Sequence, residues 1–319
     1  MTPGQHDEAV RDLQRRLSVA GFPPAAGGQP GVYCAVTEAC VRSFQQARGI
    51  PIDGICDHAT WAALVEASWR LGDRLLFLTS PNLRGDDVAD LQTRLGRLGF
   101  DCGRVDGILG PLTAAAIEEF QGNCGLLADG TCGTDTIQAV KRVSSQTGQG
   151  PGIATVRERE RLRTSSSSLA GRRVVVGQFG GLSALTRALA RDLRRRGTIV
   201  VSVDEPDAIT QATAANHFTA DLYVGFDTLV DGPTRICYYA VPTFESHGGR
   251  SLAERIAAGL DTLDTAPHAA TGMRLQVLRE TRMPAVLVSF SDVRKVTDDA
   301  INVAEVVRVA IGQWFQDPL

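Results

Sequence analysis

Asp86-Asp87-Val88-Ala89-Asp90-Leu91-Gln92-Thr93-Arg94-Leu95, followed by Gly99-Phe100, decides how this chain is read, because the pattern occurs twice. The earlier copy runs Glu8-Ala9-Val10-Arg11-Asp12-Leu13-Gln14-Arg15-Arg16-Leu17, then Gly21-Phe22, and the step from Val10 to Val88 is 78 residues. Downstream, Thr37, Val41-Arg42-Ser43-Phe44-Gln45 and Asp53-Gly54 return as Thr113, Ile117-Glu118-Glu119-Phe120-Gln121 and Asp129-Gly130, a step of 76. The two steps differ by two residues, so the first copy carries a longer first loop. Self-similarity of this kind marks a repeated structural unit.

Each copy reads as three short helices. Val10, Leu13 and Leu17 share one face at i, i+3 and i+7. Val41 and Phe44 do the same in the second helix, and Trp61 and Leu64 in a third that starts from Asp57, a good N-cap. The Asp-Gly pairs at 53–54, 106–107 and 129–130 fall between helices, where Gly supplies positive φ and Asp bonds its own turn. Turn chemistry is their first role and ligand contact only the second.

Composition sets the outer bounds. A length of 319 residues suggests two or three domains, and 43% hydrophobic with 22% charged residues excludes a disordered or fibrous chain. The net charge of −3 leaves no basic excess to neutralise phosphates, so a nucleic-acid binder is not expected. No window offers ~18 consecutive apolar residues, so no membrane span is expected. The N-terminus lacks a basic stretch followed by an apolar one, so the expected location is cytoplasmic, with cell-wall association as the alternative. The seven cysteines, without a CxxC pair, are expected to be reduced and mostly buried. A disulfide among the six at Cys34, Cys40, Cys56, Cys102, Cys124 and Cys132 is the alternative.

After Val143 a stretch rich in Ser, Gly and Gln gives way to the charge-alternating run Arg157–Arg163 and then to Thr164, Ser165, Ser166, Ser167 and Ser168. The expectation is a solvated linker over 146–170. Basic residues before exposed hydroxyls also make those five residues candidate phosphoacceptors, which implies a Ser/Thr kinase as a partner. From Gly171 strand-like and helix-like segments alternate: strands at 173–176, 198–203, 221–226, 235–241 and 285–290, helices at 182–196, 206–218, 251–263 and 298–315. Alternation argues a mostly parallel sheet covered on both faces.

The first half resembles the peptidoglycan-binding-domain type 1 family, a small three-helix cell-wall module. The second copy carries it almost throughout, with Val105-Asp106-Gly107-Ile108-Leu109-Gly110-Pro111-Leu112-Thr113 and then Phe120-Gln121. The first departs in its loop, where Pro30-Gly31 stands for Asp-Gly and Tyr33-Cys34 for Phe-Gly. The resemblance implies modules at 4–70 and 80–145 and candidate ligand contacts at Asp106, Gly107, Phe120, Gln121, Asp129, Gly130, Phe44, Gln45, Asp53 and Gly54.

Residues 171–319 resemble the zinc-dependent N-acetylmuramoyl-L-alanine amidase family, type 3, through Val174–Gly181, through Ala215-Asn216 and Ala220-Asp221-Leu222-Tyr223-Val224-Gly225-Phe226-Asp227, and through Met283-Pro284-Ala285-Val286-Leu287-Val288-Ser289. The family holds zinc with His, Glu and His and uses a further Glu as general base. At those positions this chain has Gly180 (or Phe179, if the gap moves by one), an apparent deletion, Asp227 and Ser289. His217, His247 and His268 lie elsewhere, and a Ser289–His247–Asp227 triad has no nucleophile elbow to support it.

The resemblance as a whole implies a multidomain chain: two small three-helix all-α modules plus an α/β domain with a mostly parallel sheet. It implies a non-catalytic binder of a peptidoglycan fragment or cell-wall precursor, without cofactor, that regulates or scaffolds cell-wall synthesis alongside a synthesis enzyme. The alternative it implies is an active zinc amidase cleaving the muramoyl–L-Ala amide.

Overall fold

The computed structural model describes residues 1–24, 28–144, 152–164, 168–230, 232–242, 244–263 and 267–319. The chain divides into two compact units, Met1–Val156 and Arg157–Leu319.

The first unit holds two three-helix modules: α1 (Glu8–Val19), α2 (Ala35–Arg48) and α3 (His58–Ala67), then α4 (Asp86–Arg97), α5 (Pro111–Asn123) and α6 (Thr134–Ser144). Their starts follow local chemistry. Asp7 caps α1 by accepting from the Val10 amide at 2.9 Å, and Asp57 caps α3 from the Thr60 amide at 2.7 Å. Proline opens α5 at a position whose N–H has no helical partner in any case. The first core gathers Val10, Leu13, Leu17, Val41, Phe44 and Leu64, and the second Val88, Leu91, Leu95, Ile117 and Phe120. The repeat extends to ring geometry. Phe22 meets Phe44 edge-on with centroids 5.6 Å apart, and Phe100 meets Phe120 in the same way at 5.5 Å. Arg48 of the first module forms a two-pronged pair with Asp86 at the start of the second, at 2.9 and 2.7 Å. All seven cysteines are free thiols, four of them buried.

In the second unit β1 (Arg173–Gln178), α8 (Ser183–Arg195), β2 (Ile199–Asp204), α9 (Ala208–His217) and β3 (Leu222–Thr228) alternate as expected. Then come β4 (Arg235–Val241), β5 (Phe244–Glu245), α10 (His247–Leu260), β6 (Ala270–Met273), α11 (Gln276–Glu280), β7 (Ala285–Phe290), α12 (Val293–Asp298) and α13 (Ala300–Gln316). The sheet order is β2-β1-β3-β7-β4-β5, with β6 also paired to β4. β2, β1, β3 and β7 are parallel, whereas β4 runs antiparallel to β7. The mostly parallel sheet is therefore a mixed one. The reversal has a local cause, since only residues 229–234 join β3 to β4, too few for a crossover helix.

Val174, Val176, Leu222, Val224, Val286 and Val288 face one core together with α8, α10 and α13. The alternate residues, including Tyr223, Gly225, Leu287 and Cys237, face the other side. There Gly177 and Gly225 leave room for the Tyr223 ring, whose hydroxyl donates to Gln211 of α9 at 2.7 Å.

The run expected as solvated linker is instead a helix, α7 (Ile153–Thr164). Within the second unit Leu162 is 7% exposed and joins the core, while Glu158 accepts from Ser246 Oγ at 2.7 Å. One buried leucine and one capping carboxylate give the charged run a place to dock that its composition did not show. Thr164 ends this helix and its hydroxyl donates to the Glu160 carbonyl at 2.8 Å. Ser168 accepts from the Ala170 amide, and Ser165, Ser166 and Ser167 lie outside the described residues.

Candidate functional site

The residues singled out in the helical modules form one device, built four times. Gln45 is 1% exposed; its amide donates to Asp53 at 2.7 Å, to the Ile55 carbonyl at 3.0 Å and to Thr60 at 3.1 Å, and its oxygen accepts from the Gly54 amide at 2.9 Å. Gln92 does the same with Asp106, the Ile108 carbonyl, Thr113 and Gly107. Gln121 repeats it with Asp129, the Thr131 carbonyl, Thr136 and Gly130. The fourth copy, on Gln14, uses the Gln29 and Val32 carbonyls, Thr37 and the Gly31 amide. Gly31, Gly54, Gly107 and Gly130 have φ of 75, 72, 71 and 70°, the left-handed region that favours glycine. The departure at Pro30-Gly31 therefore keeps the clasp and loses only its aspartate.

This arrangement separates the candidates by position. Phe44 and Phe120 are 0% and 1% exposed and belong to the cores, and Gln45 and Gln121 are buried with their amides fully engaged. These four side chains face inward, because an aromatic ring fills each three-helix core and a saturated amide ties each turn to its helix. Gly54, Gly107 and Gly130 are buried as well, while Asp53 and Asp129 remain exposed and Asp106 is part-exposed. The Thr131 amide and then the Gln121 amide hold the Asp129 carboxyl below its usual range.

In the α/β unit the strand ends carry the other candidates. Asp227 near the end of β3 and Ser289 in β7 are register partners, and Ser289 is in turn the partner of Arg235 at the start of β4. Strand alternation puts all three on the Tyr223–Leu287 face. The Asp227 carboxyl accepts from the Thr228 amide at 2.7 Å, and burial pushes it above the usual carboxylate range. Ser289 is 4% exposed and its hydroxyl has no hydrogen-bond partner among the described residues. Gly180 has φ 131° and open space where a side chain would begin. The buried Gln178 closes the β1–α8 turn, donating to Ser183 Oγ at 2.7 Å and accepting from the Leu182 amide at 2.9 Å.

Zinc at these strand ends would need three nitrogen, sulfur or carboxylate donors and an open position. Gly180 offers none, Asp227 one carboxylate and Ser289 a hydroxyl, so the set does not fit the metal. Among the described residues no three His, Cys, Asp or Glu side chains come together. The histidines are placed apart. His217 ends α9, His247 opens α10 with Nε2 2.6 Å from Arg159, and His268 Nδ1 is 2.9 Å from Asp261. The triad of Ser289, His247 and Asp227 is not formed. Gly249, two residues after His247, approaches the Ala285 carbonyl at the opposite end of β7, about 13 Å along the strand from Ser289.

Arg235, which sequence reading passed over as the first residue of a strand, has no hydrogen-bond or ion-pair partner among the described residues. Only the β4–β7 register brings it to the site.

A family profile described as "Putative peptidoglycan binding domain" matches residues 6–64 and 84–140. "N-acetylmuramoyl-L-alanine amidase CwlM" of Mycobacterium tuberculosis is 33% identical over 320 residues, spanning 88% of this chain and 77% of that one. "N-acetylmuramoyl-L-alanine amidase CwlL" of Bacillus licheniformis is 34% identical over 158 residues, 43% of this chain and 44% of its own length. The crystal structure of an N-acetylmuramoyl-L-alanine amidase from Clostridium difficile 630 aligns with 46% of this chain and 99% of its own, at TM-score 0.36 and 14% identity. The duplicated helical module, the α/β unit behind it and the extent of the first of these likenesses lead to one assignment: the protein belongs to the N-acetylmuramoyl-L-alanine amidase family, as a chain of two peptidoglycan-binding domains and an amidase-like α/β domain.

Proposed function

We propose that this chain is a non-catalytic member of that family, which binds a peptidoglycan fragment or cell-wall precursor and acts as a regulator or scaffold of cell-wall synthesis. One observation carries the reading: the strand ends that should present metal ligands and a general base carry Gly180, Asp227 and Ser289, a set without the donors for zinc and without a carboxylate at the base position. The modules, whose clasps are kept in all four copies although the first lacks its aspartate, supply the binding. A cell-wall synthesis enzyme is the proposed partner, and Thr164 and Ser168, beside the arginines of α7, are the described members of the proposed phosphoacceptor segment.

The second reading is a working amidase, favoured by the activity for which its relatives are named. Incubation with purified peptidoglycan separates the two. The non-catalytic reading expects the chain to co-sediment with the polymer while no new amino termini or soluble muropeptides appear. Steady release of muropeptides would overturn it.

A further inference from the structure

In the row Asp227–Ser289–Arg235 an acid, a hydroxyl and a guanidinium stand on adjacent strands without satisfying one another. Among the described residues the Asp227 carboxyl accepts only from the Thr228 amide, the Ser289 hydroxyl has no hydrogen-bond partner, and the Arg235 guanidinium has no hydrogen-bond or ion-pair partner. A half-buried carboxylate without a cation costs free energy that an apolar side chain would not, and the Ser289 hydroxyl, which is not fully enclosed, can turn toward a partner. A site left in this state is suited to a ligand that brings the missing partners.

The order of charges defines that ligand. Asp227 calls for a cation, Arg235 for a carboxylate held by its planar fork, and Ser289 between them for a neutral polar group such as an amide. Neighbouring strands lie about 4.8 Å apart, so two steps separate the outer side chains by about 10 Å at their bases. An extended dipeptide covers about 7 Å, and a charge-assisted hydrogen bond of about 2.8 Å at each end carries it to about 13 Å, within reach of the long Arg235 side chain; a single amino acid has no amide to set at Ser289.

We propose that the Asp227–Ser289–Arg235 row binds a short zwitterionic peptide of dipeptide size, its free ammonium on Asp227, its carboxylate on Arg235 and its amide at Ser289. This rests on the non-catalytic reading above, since the row replaces a hydrolytic centre. It also differs from an amidase substrate in kind, because an acylated amine offers no cation to Asp227.

The test is calorimetric titration of the full chain with L-alanyl-L-alanine, N-acetyl-L-alanyl-L-alanine, L-alanyl-L-alanine amide and free L-alanine. The proposal expects the dipeptide to bind and each of the other three to bind at least about tenfold more weakly, as loss of a charged hydrogen bond requires. Asp227→Asn should abolish the preference over the N-acetyl peptide while keeping the preference over the amide. Arg235→Gln should do the reverse. The blocked peptides test the folded wild-type chain, so the outcome does not hang on whether a variant folds. No binding of the dipeptide up to millimolar concentration overturns the proposal, as does equal binding of the blocked forms. Zinc and hydrolysis measured on the same sample keep the two readings apart: a zinc-free, inert protein that ignores the dipeptide defeats this proposal alone.

Discussion

The helical modules and the strand ends of the α/β domain treat polar groups in opposite ways. In the modules each buried glutamine makes at least four hydrogen bonds, to one turn and to a threonine of the helix after it, and this is repeated at Gln14, Gln45, Gln92 and Gln121. At the strand ends the Ser289 side chain makes none among the described residues, beside a carboxylate and a guanidinium that face no described counter-charge. A saturated polar group is part of the scaffold and resists change. An unsaturated one is available to something else. The contrast therefore sorts the polar residues of this chain into those that hold it together and those that can meet a ligand.

Substitutions can break or sharpen that division. The largest effect is expected at the module core: Phe120→Ala, which empties the ring position against Phe100, should cost about 4 kcal/mol in chemical denaturation of the first unit. Gln92→Ala removes no large volume, yet it strands the Gly107 amide and Thr113 in the interior, and about 3 kcal/mol is expected from the same measurement. A loss below about 1 kcal/mol there would mean the clasp is ornamental.

At the strand ends the signs turn. Burial raises the Asp227 carboxyl in the folded state, so its ionisation opposes folding. The stability it contributes is complete below the unfolded value and is lost as pH rises through the folded one. Asp227→Asn should accordingly melt at a higher temperature than the parent at pH 7, with the gap closing as pH falls toward the ordinary carboxylate range near 3.8. The smallest effect is expected for Ser289→Ala, within about 0.5 kcal/mol of the parent, because no hydrogen bond is lost. A cost above about 2 kcal/mol would show that the hydroxyl is satisfied after all and would erase the contrast.

The two regions were also unequally legible in the sequence. The modules announced themselves because their core residues recur at fixed steps, and Val10, Leu13 and Leu17 with Val88, Leu91 and Leu95 stand where the helical period put them. Their glutamines were visible as recurring letters, but two of them, Gln45 and Gln121, were read as ligand contacts and the other two were given no role. That each precedes a positive-φ glycine by 9 to 17 residues was the available signal for a clasp. In the α/β domain the strands were readable, but the direction of β4 was not, since a strand's own residues do not state which neighbour it will join. Arg235 was missed for that reason. The docking of α7 was missed because a single leucine among charges carries no periodicity.

The account stands on the claim that the strand ends of the α/β domain hold no catalytic metal. Metal analysis of the full chain, purified without chelator and equilibrated with a slight excess of zinc before gel filtration, tests it most directly. The account expects well under 0.1 zinc per chain, as Gly180, Asp227 and Ser289 supply too few donors (a structural site holds its metal through such a column). About one zinc per chain, lost on Asp227→Asn, would contradict it.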